Sequence, residues 1–171
     1  YTVLSDAKTR ADYLDELING PKKSIDVQQV IEAESCFQEG QSLLKIRRYQ
    51  DAVKPLKRAI ELSPEEPEYL TSYAWALFKS SPEQPESQKK AQEILIAARE
   101  LNPGHDLIHL YLGYVYKAEG KERLSEKSFE MAVQANPGCN EALRELRLIN
   151  LRREQHSQPK GLFKKFINKD D

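Results

Sequence analysis

The chain has 171 residues and carries 26 Lys and Arg against 27 Asp and Glu, so its formal net charge is −1 and no global field favours nucleic acid. Hydrophobic residues make up 39% and charged residues 31%, the balance of a soluble helix-rich chain, and no apolar run approaches the ~20 residues that a membrane span needs. The two cysteines, Cys36 and Cys139, lack metal-ligand spacing and read as small buried hydrophobes inside helical segments, which predicts a reducing, cytoplasmic setting.

The N-terminal stretch Tyr1-Thr2-Val3-Leu4-Ser5-Asp6 lacks the basic-then-apolar layout of a secretory signal, and a chain opening at Tyr1 reads as a piece trimmed from a longer one. Within residues 1–18, Tyr1, Val3, Leu4, Ser5, Asp6, Arg10 and Tyr13 stand in a fixed register. That register resembles the end of a J-domain, whose third helix closes on aromatic-x-Val-Leu-Ser-Asp and whose last helix carries Arg-x-x-Tyr. The resemblance implies that residues 1–20 are the remnant of the J-domain's C-terminal helices, and that the parent protein works with a DnaK-type chaperone. The His-Pro-Asp tripeptide on which such domains depend does not occur in the chain, so this activity is not expected of it. Asn19-Gly20-Pro21 then breaks the helix, and residues 21–32 read as a linker and the start of a long helix with Ser24 or Asp26 as its cap.

Three helical stretches close on the same signal: Ala59 to Pro64, Ala98 to Pro103 and Ala132 to Pro137. Proline cannot continue a helix and pushes the preceding residue out of the helical region. Pro103 and Pro137 are 34 residues apart and Pro64 and Pro103 are 39 apart, which predicts a repeat of two helices. Small residues at Gly40, Ala52, Ala74, Ala91 and Gly113 let paired helices approach, while Leu43, Leu56, Leu77, Leu95, Leu112 and Phe129 interdigitate. With Tyr49, Ala59, Tyr73, Ala98, Tyr116, Gly120 and Ala132, these positions resemble the tetratricopeptide repeat. The resemblance implies an all-α, right-handed α-solenoid of helix–turn–helix pairs over residues 33–139, divided as 33–66, 67–105 and 106–139. The second repeat carries about five extra residues around Ser80 to Pro85. In the third, Glu122 and Ser125 replace the usual aromatic and alanine, which leaves the tightness of the turn between its helices open but not the identity of the repeat. Residues 140–156, with Leu143, Leu146 and Ile149 on one side, read as a capping helix.

Residues 157–171 form a basic tail in which Leu162, Phe163, Phe166 and Ile167 would share one helical face flanked by Lys164, Lys165 and Lys169. A membrane contact by residues 159–169, a partner contact and a disordered end all remain open.

No catalytic constellation, cofactor site or metal site is expected. Gly113 and Gly120-Lys121 are wrongly spaced for a phosphate loop and fall at a helix–turn–helix junction. His105 and His109, four residues apart and near Asp106, could hold a metal in principle, but the inter-repeat turn predicts a repeat-surface role. His156 falls in a linker.

Binding to a protein or peptide segment is the function that remains. The tetratricopeptide resemblance implies that the first helix of each pair lines a concave groove. By register the first repeat presents Glu34, Phe37, Gln38, Gln41 and Lys45. The second presents Glu68, Thr71, Ser72, Trp75, Phe78 and Lys79, and the third Leu107, Leu110, Tyr111, Tyr114 and Lys117. In relatives that grip acidic chaperone tails, Lys and Asn of the first repeat, Asn of the second and Lys and Arg of the third clamp the terminal carboxylate. The matching positions here are Phe37, Gln41, Ser72, Leu107 and Tyr111, so no clamp is expected. Phe37, Gln41, Trp75, Phe78, Tyr111, Tyr114 and Lys117 are the candidate partner-binding residues, because aromatic anchors dominate peptide hot spots.

Overall fold

The computed structural model describes residues 27–157. They form α1 (Val27–Lys45), α2 (Tyr49–Leu62), α3 (Pro67–Ser80), α4 (Pro85–Leu101), α5 (Asp106–Ala118), α6 (Glu122–Ala135) and α7 (Asn140–Ser157), with no strand among the described residues. The J-domain-like residues 1–20, the caps Ser24 and Asp26 and the basic tail from residue 158 onward lie outside this range. Successive helices pack as antiparallel hairpins, so α1, α3, α5 and α7 share one direction, the arrangement of a tetratricopeptide solenoid.

Local chemistry sets the helix ends. Pro67 and Pro85 open α3 and α4, where a missing N–H costs nothing and the fixed φ is already helical. At the far ends the same bond recurs once per repeat: Ser63, Asn102 and Asn136 each donate their N–H to Ala59, Ala98 and Ala132 at 2.9 Å. Proline follows each of them, so the helix stops there.

The turn inside a repeat relies on a left-handed residue. Arg47 (φ 61°) and Gly120 (φ 72°) hold equivalent places. The residue after each reaches back five positions, Arg48 N–H to Leu43 O at 2.9 Å and Lys121 N–H to Tyr116 O at 2.8 Å. The third repeat, whose tightness the sequence leaves open, closes its turn with the same backbone bond as the first. Ser125 is buried and its hydroxyl donates to the carbonyl oxygen of Gly113 at 2.9 Å, tying α6 to α5. The hydroxyl gains a partner that alanine would not use.

The extra residues of the second repeat are spread along it. Relative to the third repeat, α3 is one residue longer than α5 and α4 three residues longer than α6, and the intervening loop, residues 81–84, gains one more.

Three buried clusters run along the described residues. Phe37, Ala52, Leu56, Tyr69 and Tyr73 join α1, α2 and α3. Ala74, Phe78, Leu95, Ile108, Leu112 and Val115 join α3, α4 and α5. Leu110, Phe129, Ala132, Cys139 and Ala142 join α5, α6 and the start of α7. Close approach depends on glycine: a Cβ on Gly40 would overlap the Leu56 side chain, and one on Gly113 the Phe129 ring.

Two expectations are corrected here. Cys139 lies in the turn before α7 rather than in a helix, and Cys36, in α1, is only half-buried. The inner stripe of α7 is Ala142, Leu146 and Ile149, while Leu143 faces solvent. A helix turns ~100° per residue, so Ala142 and Leu143 cannot both face the core.

A groove between the second and third repeats

The centre of the array is an aromatic depression. Trp75 of α3 and Tyr111 of α5 stack with ring centroids 4.1 Å apart and planes 7° from parallel. Tyr114 lies 5.6 Å from Trp75 and meets Phe129 edge-on at 5.3 Å, so its ring is braced from α6. Around them opens a groove of about 680 Å³, also lined by Phe78, Lys79, Pro82, Leu107, Leu110, Lys117 and Glu141.

Five of the seven candidate residues come together here: Trp75, Phe78, Tyr111, Tyr114 and Lys117. Trp75, Tyr111 and Tyr114 are half-buried and present ring surface, whereas Phe78, 6% exposed, belongs to the floor. Phe37 and Gln41 are elsewhere. Phe37 is only 7% exposed and packs on Tyr69 at 4.5 Å, whose hydroxyl donates to Glu34 at 2.9 Å. Phe37 is therefore a core residue, because α3 of the next repeat covers it. Gln41 donates from Nε2 to Ser72 Oγ at 2.8 Å. Thr71, Ser72 and Leu110, read as groove positions by register, are buried as well.

Sequence reasoning missed Pro82 and Glu141. Pro82 comes from the lengthened loop of the second repeat, where Gln88 Nε2 donates to its carbonyl oxygen at 2.7 Å. Glu141 comes from the first turn of α7. The unusual 39-residue spacing was the available signal for the first; the capping helix concealed the second.

Electrostatics divides the groove. Lys79 Nζ lies 5.3 Å from the Trp75 ring centroid and 5.6 Å from that of Tyr49. Lys117 Nζ instead pairs with Glu145 of α7, a largely buried carboxylate. Burial first, then Glu141 and Asp106, pushes the Tyr111 phenol up to about 12. Tyr114 is raised in the same direction, by burial first and then by Glu145 and Glu141.

The two histidines do not converge on a ligand site. His109 is buried and its Nε2 donates to the Pro103 carbonyl oxygen at 2.7 Å, while His105 Nδ1 lies 3.7 Å from Asp106 Oδ1. Both serve the turn between the second and third repeats. No group of three or more His, Cys, Asp or Glu among the described residues could hold a metal ion. No described helix is long and apolar enough to cross a membrane.

These features define an all-α array of packed helix pairs with one aromatic groove among the described residues. The tetratricopeptide repeat family model matches residues 37–81. Among solved structures, the chain is similar to the first tetratricopeptide domain of Spaghetti (RPAP3) bound to an HSP90 peptide, with a TM-score of 0.63 and 22% identity over 73% of this chain and 95% of that one. It is also similar to the Sgt2 tetratricopeptide domain from Aspergillus fumigatus, with a TM-score of 0.64 and 21% identity over 75% of this chain and 83% of that one. A third similarity, to MamA protein, has a TM-score of 0.59 and 23% identity over 82% of this chain and 73% of that one. At these identities the likeness establishes the fold.

Proposed function

We propose that this protein is a non-catalytic interaction scaffold that holds a segment of a partner protein in the groove between α3, α5 and α7. The observation that carries this reading is the Trp75–Tyr111 stack with Tyr114 beside it, half-buried in an open depression. Rigid aromatic surface at low entropic cost is what binding hot spots use. Spaghetti's first and second domains, each in complex with an HSP90 peptide, support peptide capture as a use of this fold. The free cysteines Cys36 and Cys139 support a cytoplasmic setting.

The test is affinity capture from the native source with the intact chain, Trp75→Ala and Tyr114→Ala, alongside circular dichroism. The reading expects both variants to keep their helical content and to lose the captured partner. Normal capture by both variants would place the binding surface elsewhere.

The J-domain resemblance of residues 1–20 favours a narrower reading, in which the repeats select partners for a DnaK-type chaperone. An ATPase assay of that chaperone with the full natural gene product tests it. Stimulation that depends on a His-Pro-Asp sequence is the expected result, and its absence removes the reading.

A further inference from the structure

Among the described residues, one cation lining the groove is left without a carboxylate. Of the charged side chains lining it, Lys117 is neutralised by Glu145. Glu141 is exposed on the first turn of α7. Lys79, on the last turn of α3, has no carboxylate partner among the described residues. Its ammonium is held over the Trp75 and Tyr49 rings, so its place at the groove wall is defined. Half-buried against aromatic surface, it is screened by water less than a free surface lysine.

We propose that the groove selects a partner segment in which an acidic side chain neighbours a bulky apolar or aromatic one, the carboxylate pairing with Lys79 and the apolar group covering Trp75 and Tyr114. This rests on the groove reading above and adds the chemistry of the occupant. Charge complementarity carries it: the walls are Trp75, Leu107, Tyr111 and Tyr114, and the cation awaiting a partner stands at their edge. The polarity is also directional. Lys79 and Lys117 occupy the last turns of two parallel helices, whereas Glu141 lies at the first turn of a third. The acidic residue therefore sits toward the C-terminal ends of α3 and α5. The recognised group is an internal side chain, because the positions to which the tetratricopeptide resemblance assigns the gripping of a chain terminus hold Phe37, Gln41, Ser72, Leu107 and Tyr111, none of them cationic.

Trp75 is the only tryptophan of the chain, so its emission reports occupancy of the groove. The probes are three short synthetic peptides without tryptophan, blocked at both ends and identical except for one residue beside a Leu-Phe pair: Asp, Asn or Lys. The Asp peptide is expected to bind roughly three- to fivefold more tightly than the Asn peptide at low salt, with the Lys peptide weakest and the differences shrinking as salt rises. Lys79→Gln removes the preference, so that the Asp and Asn peptides bind that variant equally, while Lys79→Arg keeps the preference. Equal binding of the Asp and Asn peptides, or a preference that survives Lys79→Gln, overturns the charge inference and leaves the groove reading standing. If no peptide perturbs Trp75, the inference is overturned, and the groove reading is decided separately by partner capture with Trp75→Ala and Tyr114→Ala.

Discussion

Gln41 and Ser72 are hydrogen-bonded to each other, Nε2 to Oγ at 2.8 Å, across the interface of the first and second repeats. Both occupy positions where relatives that bind acidic chaperone tails are expected to place amides facing the ligand. Here those polar groups satisfy each other, Phe37 is part of the core, and Leu107 and Tyr111 carry no charge. A buried carboxylate without matched donors is costly, so a free chain terminus has no favourable seat here. We therefore expect a peptide ending in Glu-Glu-Val-Asp and the same peptide with an amidated C-terminus to give indistinguishable titrations of Trp75 emission. Tighter binding of the free acid would show that a terminal carboxylate is recognised.

Gly113 and Phe129 set the spacing of α5 and α6. Phe129 is fully buried, and any Cβ on Gly113 would clash with the edge of its ring at Cε1 and Cδ1. Gly113→Ala should cost about 1–3 kcal/mol through overpacking, and Phe129→Ala about 3–5 kcal/mol through the cavity it leaves. Gly113→Ala/Phe129→Leu should cost less than the sum of its two single substitutions, because the smaller side chain admits the methyl group. Urea unfolding of the variants measures all of this, and additive costs would show that the two residues do not share the space.

Arg47 and Gly120 adopt the same left-handed backbone in equivalent turns, but only Gly120 does so without a Cβ penalty. Arg47→Gly should therefore stabilise the protein by about 0.5–1 kcal/mol despite a more flexible unfolded chain, whereas Gly120→Ala should destabilise it by about 1 kcal/mol. Opposite shifts in thermal midpoint are the expected result. A loss on Arg47→Gly would mean that its side chain contributes more than its backbone costs.

The ends of α2, α4 and α6 were legible in advance because Pro64, Pro103 and Pro137 act locally on the residue before them, whereas the left-handed turn at Arg47, which has no glycine, was not. The groove was legible only in part, because facing it depends on neighbours far along the chain. Phe37 and Trp75 both fall on first helices in groove register. Tyr69 covers Phe37, whereas Tyr111 stacks on Trp75 and leaves ring surface open. No periodicity separates those outcomes, since it reports the face of one helix and not the stagger of the next. Ala142 and Leu143 illustrate the same limit at the cap, where a one-residue rotation decides which packs inward and volume alone suggests the wrong one.

Tyr111 links the groove to pH. Its folded-state pKa is raised from the ordinary 10.0 to about 12, chiefly by burial and then by Glu141 and Asp106. The unfolded chain releases the phenol proton near the ordinary value, so folding favours the protonated form. The resulting stabilisation is fully present below pH ~10 and is lost as pH rises through the folded value near 12. Tyr69 is raised to about 12 by burial and by its bond to Glu34, so it adds to the same slope. Tyr111→Phe, which removes the titrating group and keeps the ring over Trp75, should flatten the decline of thermal midpoint across this window relative to wild type. Phenolate absorbance followed in parallel should show a late-titrating fraction that shrinks in the variant. Equal slopes in the two proteins would mean that the Tyr111 hydroxyl titrates as if in water, and that the groove is wetter than its stacked rings imply.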